Sequence, residues 1–393
     1  MRGLGLWNIA GQTARAGFDM RPVRHNFRPI LPLFMPAGAV PFDYELPRHL
    51  VAQEPLSQRA DARLMLVDRH RQSIEHHHVR DLPYLLEAGD RLVLNDTKVI
   101  RAQLAGTRIQ TGGRWQGLFI EATPDGHWKI LCKTRGRLMP GETVTLRDPE
   151  GRSTLKLWLL ERLEEGQWLA HVETDEPTEA VLEKIGRVPL PPYIRGGNMV
   201  DEDVASYQTV FAQRAGAIAA PTAGLHFTRE LLKSLEAHGV GLSRITLHVG
   251  LGTFRPIETD TLDAHRMHSE WGELAASTAS ELNETRTAGG RVIAVGTTAV
   301  RVLETATLTQ PNSGEPLGKR GIKPWQGTTD LFIRPPFEFR GIDALMTNFH
   351  FPRTTLLVLV QTFGGVDLIS EAYRQAVEEE YRFYSYGDAM LIV

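Results

Sequence analysis

Five of the 14 histidines lie in or near loops that follow predicted β-strands. They are His226, His248, His265, His268 and His350. Imidazole titrates near neutral pH and also binds metals, so these side chains are candidates for proton transfer or for a metal site. His265 and His268 stand close to Glu270, but His-x-x-His spacing has low specificity and lacks the helical His-Glu-x-x-His pattern of zinc enzymes. Proton transfer or ligand binding is therefore favoured, and no metal is predicted.

Four loops rich in threonine, glycine and asparagine also follow predicted strands. They span residues 221–228, 248–254, 296–298 and 347–350. Because the carboxyl ends of parallel strands meet at one edge of a sheet, we expect the four loops to surround one ligand there. Gly250 and Gly252 would let the backbone approach that ligand closely. Thr228 and Thr298 are each predicted to be the N-cap of the helix that follows.

Near the C-terminus, residues 381–388 place four aromatic side chains around an arginine and an aspartate. If this stretch is a strand, its alternation puts Arg382, Tyr384 and Tyr386 on one face. Such a face could stack on a flat base or bond a ribose. A strand packed into the core is the alternative, and about half of the aromatic rings are expected to serve that purpose.

The elements that must position these residues fall into two patterns. From residue 177 onward, short strands alternate with helices, which is typical of an α/β protein whose mostly parallel sheet carries flanking helices. Residues 101–176 instead show short β-type runs separated by glycine and proline turns, which predicts a small β-barrel. We therefore predict a discontinuous α/β domain at residues 41–100 and 177–393, which carries the site, with a β-barrel domain at residues 101–176 inserted in it.

Composition narrows the class of protein. The 42% hydrophobic and 23% charged residues are ordinary for a globular protein. A net charge of −3 means that any contact with nucleic acid must use a local basic patch. The single cysteine, Cys132, cannot build a disulfide framework or a cysteine-rich zinc site. No apolar run approaches the roughly 20 residues that span a bilayer, and we expect a cytoplasmic protein without a membrane partner.

Residues 1–40 differ from the rest of the chain. They are rich in arginine, with Asp19 as the lone acid, and the apolar run at 30–35 is short and interrupted by Pro32. That run is a poor core for a signal peptide. We expect a disordered leader, or a translation start placed too early with Met35 as the natural start, and the predicted fold omits this stretch.

The motifs together resemble one family, the S-adenosylmethionine:tRNA ribosyltransferase-isomerases of queuosine synthesis, and the likeness runs from about Phe42 to the C-terminus. The string from Pro221 to Thr228, Pro-Thr-Ala-Gly-Leu-His-Phe-Thr, is highly specific. Further motifs occur in the family's order at residues 42–47, 94–100, 189–194, 207–212, 246–254, 267–270, 295–301, 347–350 and 381–388. The chain departs from the pattern at its leader, at Gln116 and at the bulkier residues 359–363.

The resemblance implies a reaction and its substrates. The ribosyl moiety of S-adenosylmethionine is transferred to 7-aminomethyl-7-deazaguanine at the wobble position of a tRNA with a GUN anticodon. Isomerisation then gives epoxyqueuosine, and adenine and methionine leave. S-adenosylmethionine is a consumed co-substrate here, so no cofactor is expected. We expect a monomer with an inserted barrel.

Residue roles follow from the resemblance. A general base must reach the ribose C5′, whose hydrogens the sulfonium acidifies, and His226 or His268 is predicted for this task. A carboxylate should offset the sulfonium, and Asp96 or Glu270 is predicted to do so. Arg301 and Arg382 are predicted to meet the tRNA backbone or the methionine carboxylate. The complete set of predicted substrate-binding residues is Thr222, His248, Gly250, Gly252, Thr253, Thr297, Thr298, Arg301, Asn348, His350, Arg382, Tyr386 and Asp388.

Two other functions compete with this one. A metal-dependent hydrolase would use His265, His268 and a third histidine, and stoichiometric metal in the purified protein would favour it. A non-catalytic RNA-binding protein would hold nucleic acid on its barrel and would leave S-adenosylmethionine intact. The ribosyltransferase and the RNA-binding protein would both need a surface for RNA. The basic loop at 318–325 offers cations and an indole for this purpose, although a solvated loop without a function explains it equally well.

Overall fold

The computed structural model of the protein describes residues 42–250, 262–308 and 321–393. Three sets of predicted features lie outside these residues: the leader, the ligand-binding residues Gly252 and Thr253, and the first part of the basic loop.

The described chain alternates between strands and helices on either side of a purely β segment. The strands are β1 (Arg63–Asp68), β2 (Ser73–His78), β3 (Arg91–Asn95), β4 (Thr97–Val99), β5 (Gln103–Arg108), β6 (Arg114–Ala122), β7 (Trp128–Thr134), β8 (Thr143–Arg147), β9 (Ser153–Arg162), β10 (Gln167–Val172), β11 (Arg214–Ala217), β12 (Gly241–Leu247), β13 (Glu270–Leu274), β14 (Val292–Val295), β15 (Trp325–Thr329), β16 (Ala344–Asn348) and β17 (Ala389–Ile392). The helices are α1 (Leu82–Leu85), α2 (Thr178–Ile185), α3 (Asp203–Ser206), α4 (Arg229–Ala237), α5 (Ala276–Thr287), α6 (Thr297–Leu308), α7 (Thr355–Gly364) and α8 (Val366–Glu378).

A nine-stranded sheet forms the larger unit, in the order β15-β13-β12-β3-β14-β16-β17-β1-β2. The neighbours β12, β3, β14 and β16 run parallel, whereas β13 and β15 add antiparallel pairs at one edge and β2 adds one at the other. Strands β14 and β16 are buried along their whole length, as expected for strands covered on both faces. The α/β class is confirmed, and the sheet is parallel in the middle and antiparallel towards its edges.

Successive residues of the central strands pack into two different apolar layers. Val93 and Ala294 belong to one layer, together with side chains of α5, α6, α7 and α8. Leu92 and Ile293 belong to the other, together with α1 and α4. Because the side chains of a strand alternate between its faces, this division places helices on both sides of the sheet. The carboxyl ends of β12, β14 and β16 therefore remain the uncovered rim.

The segment between β4 and α2 closes into a six-stranded antiparallel barrel in the order β10-β7-β6-β5-β8-β9, and the predicted barrel is confirmed. Its interior is filled by large side chains, among them Trp115, Trp128 and Trp168. Trp115 fits because two facing residues are glycines. A Cβ added at Gly106 would lie 3.3 Å from the Trp115 ring, and one added at Gly117 would lie 2.2 Å from it.

We therefore expect Gly117→Ala to destabilise the barrel by about 1–3 kcal/mol, because a methyl group there must displace a fully buried indole. Urea unfolding followed by tryptophan fluorescence measures the change. Gly113→Ala, in the same hairpin, is the matched control, since its nearest neighbour is the hydroxyl of Thr111 at 3.2 Å. Equal effects of the two substitutions would contradict this account of the barrel core.

Two local predictions need correction and one is confirmed. Strand β11 is not part of the large sheet and pairs with β4 in a two-stranded sheet, but the Ile218 amide donates to the Val249 carbonyl at 2.9 Å, so the next loop still reaches the rim. Thr228 caps α4 as predicted, accepting from the Leu231 amide at 3.1 Å. Thr298 is not an N-cap, because α6 already begins at Thr297.

Within the described ranges, no single helix has the length and apolar character needed to cross a membrane. Helices α7 and α8 meet those criteria only as a pair, and that pair is bent by 117°.

Candidate active site

A cavity lies at the rim of the large sheet, and each of the four predicted loops contributes to its wall. This rim cavity is lined by Thr222, Val249, Thr297, Thr298, Asn348 and His350, among others. It contains about 490 Å³ of space not filled by atoms, part of which is open to solvent. The structure thus brings together five of the predicted substrate-binding residues.

The turn between β14 and α6 places two of the cavity threonines. Gly296 has a φ of 88°, a left-handed conformation that glycine adopts without strain, and it lets the chain turn directly from the strand into the helix. The Asn95 side-chain amide donates to the Thr298 hydroxyl at 3.2 Å and to the Leu247 carbonyl at 3.0 Å. Asn95 therefore fixes the start of α6 to the ends of β3 and β12.

Asn348 presents an unused acceptor in the wall of the rim cavity. Its amide nitrogen donates to the Tyr384 carbonyl and to Nε2 of His226, both at 3.1 Å. The carbonyl partner fixes the orientation of the amide, because only the nitrogen can donate to it. The Oδ1 atom is buried and has no hydrogen-bond partner in the described part of the chain. A donor on a ligand would satisfy it.

His226 is buried beside this amide. Burial lowers its pKa to about 4, and the cations of Arg59 and Arg382 act in the same direction. The imidazole is therefore neutral near pH 7, and the amide of Asn348 identifies Nε2 as the nitrogen with the free electron pair. A neutral imidazole of this kind can accept a proton.

His350 lies at the end of the loop 347–350, two residues after Asn348, and three hydrogen bonds hold it in place. Its Nε2 lies 2.8 Å from the Thr347 hydroxyl, its amide donates to the Tyr373 hydroxyl at 3.0 Å, and its carbonyl accepts from Tyr44. Burial lowers its pKa to about 3. His350 is thus a rigid, neutral part of the cavity wall.

A second cavity adjoins the first and is here called the side cavity. Arg59, Leu225, His226, Ser385 and Tyr386 contribute to its wall. Ser385 also lines the rim cavity. Ser385 and the hydrogen-bonded pair of His226 and Asn348 thus lie at the boundary between the two cavities.

The aromatic tract at 381–388 is a turn rather than a strand, so the predicted alternation is wrong. The Gly387 amide donates to the Tyr384 carbonyl at 2.9 Å, and the Asp388 amide donates to the Arg382 carbonyl at 2.7 Å. Tyr384 has a φ of 74° at this turn. As a result Tyr384 faces the rim cavity whereas Tyr386 lines the side cavity and donates to Asp203 at 3.0 Å.

Asp388 does not line either cavity and instead ties backbone together. Its carboxylate accepts from the amides of Arg63 at 2.9 Å and of Arg382 at 2.8 Å, and its side chain is 2% exposed. The Arg382 guanidinium donates to the Glu54 carbonyl. This arrangement connects the start of β1 to the turn that carries Tyr384 and Ser385.

We expect Asp388→Ala to lower the free energy of unfolding by about 2–4 kcal/mol, because two partly buried backbone amides lose their acceptor. Thermal and urea unfolding measure this loss. Asp388→Asn keeps one acceptor oxygen, so its free energy of unfolding should lie between those of the native protein and Asp388→Ala. A normal stability of Asp388→Ala would show that the carboxylate has another task.

Six other predicted residues gather around β12 and β13 and line neither cavity: Asp96, His248, Gly250, His268, Glu270 and Arg301. Glu270 accepts from the Gly250 amide at 2.7 Å and forms a buried ion pair with Arg301. Asp96 accepts from the Thr246 hydroxyl at 2.7 Å, and burial raises its pKa. His248 stacks on Trp271 with ring centres 5.1 Å apart, and its Nδ1 lies 2.8 Å from the Thr97 hydroxyl. His268 is half-buried just before β13.

Sequence reasoning missed three residues of the two walls: Arg59, Thr347 and Ser385. Thr347 and Ser385 stand inside recognised motifs, so their positions were visible although no role was given to them. Arg59 lies in a short turn before β1 and in no motif. Only the folded chain brings it next to His226.

Within residues 42–250, 262–308 and 321–393, no group of three or more histidine, cysteine, aspartate or glutamate side chains is arranged to hold a metal ion.

Comparison with known proteins points to one family. Residues 40–392 match the sequence family described as "Queuosine biosynthesis protein". A protein of Halothermothrix orenii named S-adenosylmethionine:tRNA ribosyltransferase-isomerase is 43% identical over 352 residues, which is 90% of this chain and 98% of the relative. A Cereibacter sphaeroides protein of the same name is 45% identical over 90% of this chain and 98% of its own length.

A solved structure agrees with the sequence comparisons. The crystal structure of S-adenosylmethionine tRNA ribosyltransferase from Thermotoga maritima is 36% identical in sequence and superimposes with a TM-score of 0.51. The match covers 90% of this chain and 100% of the solved chain.

Proposed function

The chain belongs to the family of queuosine biosynthesis proteins, and we propose that it catalyses the reaction for which its relatives are named. It is an S-adenosylmethionine:tRNA ribosyltransferase-isomerase. It transfers the ribosyl moiety of S-adenosylmethionine to 7-aminomethyl-7-deazaguanine at the wobble position of tRNA and isomerises it. The products are epoxyqueuosine-tRNA, adenine and methionine.

The observation that carries this proposal is the set of hydroxyls and the unused amide oxygen in the wall of the rim cavity, with the neutral His226 hydrogen-bonded to Asn348 of that wall. The hydroxyls of Thr222, Thr297 and Thr298 can bond a ribose or a base, and the unused Oδ1 of Asn348 can accept from either. Several fixed polar contacts are what a sugar needs while it is opened and rebuilt. A cavity of this kind suits a nucleoside substrate better than an apolar ligand.

His226 is the proposed general base. The sulfonium makes the C5′ hydrogens of the ribose acidic, and Nε2 of His226 carries the electron pair that can accept one of them. Substrate would replace the Asn348 amide at this nitrogen. His268 remains the alternative base. Asp96 and Glu270 line neither cavity, and Arg301 already compensates Glu270, so we assign Glu270 a positioning role on Gly250.

Contact with tRNA is proposed for the barrel, at the end of the β6–β7 pair that lies away from its hairpin turn. Four exposed cations lie together there, and none forms an ion pair within the described residues: Arg114, Lys133, Arg135 and Arg137. A local patch of this kind reconciles tRNA binding with the overall charge of −3.

We expect the affinity for tRNA to fall steeply as the salt concentration rises. Replacement of Arg135 and Arg137 by glutamine should make this fall less steep, and filter binding at several salt concentrations measures it.

The remaining features are proposed from the family. The tRNA carries a GUN anticodon, S-adenosylmethionine is consumed rather than retained, no cofactor is needed, and the protein acts as a cytoplasmic monomer.

Release of adenine tests the proposal directly. The purified protein is incubated with S-adenosylmethionine and with tRNA that carries or lacks the 7-aminomethyl-7-deazaguanine base, and adenine is quantified by chromatography. We expect adenine only with the modified tRNA. A protein that binds tRNA but releases no adenine would be an RNA-binding protein, and the proposal would be wrong.

A further inference from the structure

We propose that the side cavity binds the carboxylate of the methionyl group of S-adenosylmethionine, and that Arg59 is the residue that holds it. The proposal rests on the proposed function, since it names the second half of the same substrate site.

Arg59 is a half-buried cation whose partners are all neutral. Its Nη groups donate to the carbonyls of Gln208 at 2.8 Å, of Ala205 and Ser206 at 3.0 Å and of Leu225 at 3.5 Å, so the Nε–H is the donor left for a ligand. Among the described residues, no carboxylate lies within ion-pair distance of it. A partly buried charge without a counter-ion is unfavourable, and an anion in the adjoining cavity would compensate it.

A second guanidinium strengthens the positive potential at this point. Arg382 is half-buried, and its Nη1 is buried without a hydrogen-bond partner in the described ranges. Both arginines lower the pKa of His226, so both act on the imidazole that lines the side cavity. The surroundings of His226 therefore favour an anion.

The rest of the wall matches a thioether chain that ends in polar groups. Pro55, Leu56 and Leu225 offer apolar contacts, and the hydroxyl-bearing residues Ser385 and Tyr386 also contribute to the wall. This combination of an apolar channel and a cation suits an amino-acid side chain with its carboxylate better than it suits a flat base.

The junction of the two cavities places the reacting atoms next to the proposed base. His226 lines the side cavity, Asn348 lines the rim cavity, and their side chains are 3.1 Å apart. With adenosine in the rim cavity and the methionyl chain in the side cavity, the sulfonium and C5′ lie at this junction. An anion beside Arg59 would also offset one of the cations that depress the pKa of His226, which makes the imidazole a stronger base.

Calorimetric titration tests the subsite without turnover. The native protein is titrated with S-adenosylmethionine and with decarboxylated S-adenosylmethionine, which lacks only the carboxylate. We expect binding of the truncated compound to be roughly 10- to 100-fold weaker, the range for a hydrogen-bonded charged group. Arg59→Gln should weaken binding of S-adenosylmethionine by a similar factor and leave binding of the truncated compound unchanged. Arg80→Gln, which breaks only the exposed pair with Asp61, should change neither.

Three results would overturn the subsite: equal binding of the two compounds by the native protein, equal weakening of both by Arg59→Gln, or loss of tRNA affinity alone in that variant. The last would assign Arg59 to a tRNA phosphate. Failure of the proposed function gives a different result. The native protein would then release no adenine in the turnover assay, yet would still bind S-adenosylmethionine more tightly than the decarboxylated compound.

Discussion

Replacement of His226 by glutamine is expected to lower the rate of adenine release by about 10²- to 10⁴-fold, the range for loss of a general base. Glutamine retains an acceptor for the Asn348 amide, so the local hydrogen bond and the fold should survive. Binding of S-adenosylmethionine should change little, because the base acts in the chemical step.

His70→Gln is the matched control, since His70 is exposed in the turn between β1 and β2. A variant at His226 that keeps full turnover would exclude it as the base. His268→Gln then becomes the next test.

The pH dependence of the native enzyme carries a related expectation. A base must be unprotonated, and the pKa of His226 is lowered to about 4. Activity that depends on this group is therefore present above that pKa and is lost as the pH falls through it. Between about pH 6 and about pH 8, protonation of His226 should therefore cause no change in kcat/KM.

Replacement of Arg301 by methionine is expected to cost about 3–5 kcal/mol of folding free energy, because it removes a cation that is paired with the buried carboxylate of Glu270. Both side chains are nearly inaccessible, at 6% and 4% exposure. Arg301 also donates to the Thr329 carbonyl at 2.9 Å, so α6 loses one of its hydrogen bonds to β15. Urea unfolding measures the effect.

Two further variants separate the charge effect from packing. The double replacement Arg301→Met with Glu270→Leu should be more stable than Arg301→Met alone, since no unpaired charge remains. Lys184→Met removes an exposed cation from the surface of α2, where its partner Glu176 is exposed as well, and should cost no more than about 1 kcal/mol. If Arg301→Met resembled Lys184→Met, the buried pair would have no structural role.

Much of the architecture could be predicted because local patterns determine it. Runs such as Val292–Val295 are apolar throughout and read as buried strands, and glycine and proline turns separate the barrel strands. The tract at 381–388 was misjudged because alternation along a chain does not reveal backbone hydrogen bonds that close a turn. The domain boundaries remain predictions.

The site could be predicted only in part, for a physical reason. Thr222, Thr297, Thr298, Asn348 and His350 follow strands or precede a helix, so sheet topology alone brings them to one rim. Glu270 and Arg301 also looked like ligand contacts, but a sequence does not show that two charges are buried against each other. Arg59 reaches His226 through tertiary packing, which no spacing along the chain encodes.

The most direct test of the central claim follows the ribose itself. S-adenosylmethionine labelled with heavy carbon in the ribose, or in a second sample in the S-methyl group, is supplied with tRNA bearing 7-aminomethyl-7-deazaguanine, and the nucleosides are analysed by mass spectrometry. The account predicts that the ribose label enters the modified base as epoxyqueuosine and that the methyl label leaves with methionine. Methyl label in the tRNA, or unlabelled nucleosides in both samples, would contradict it.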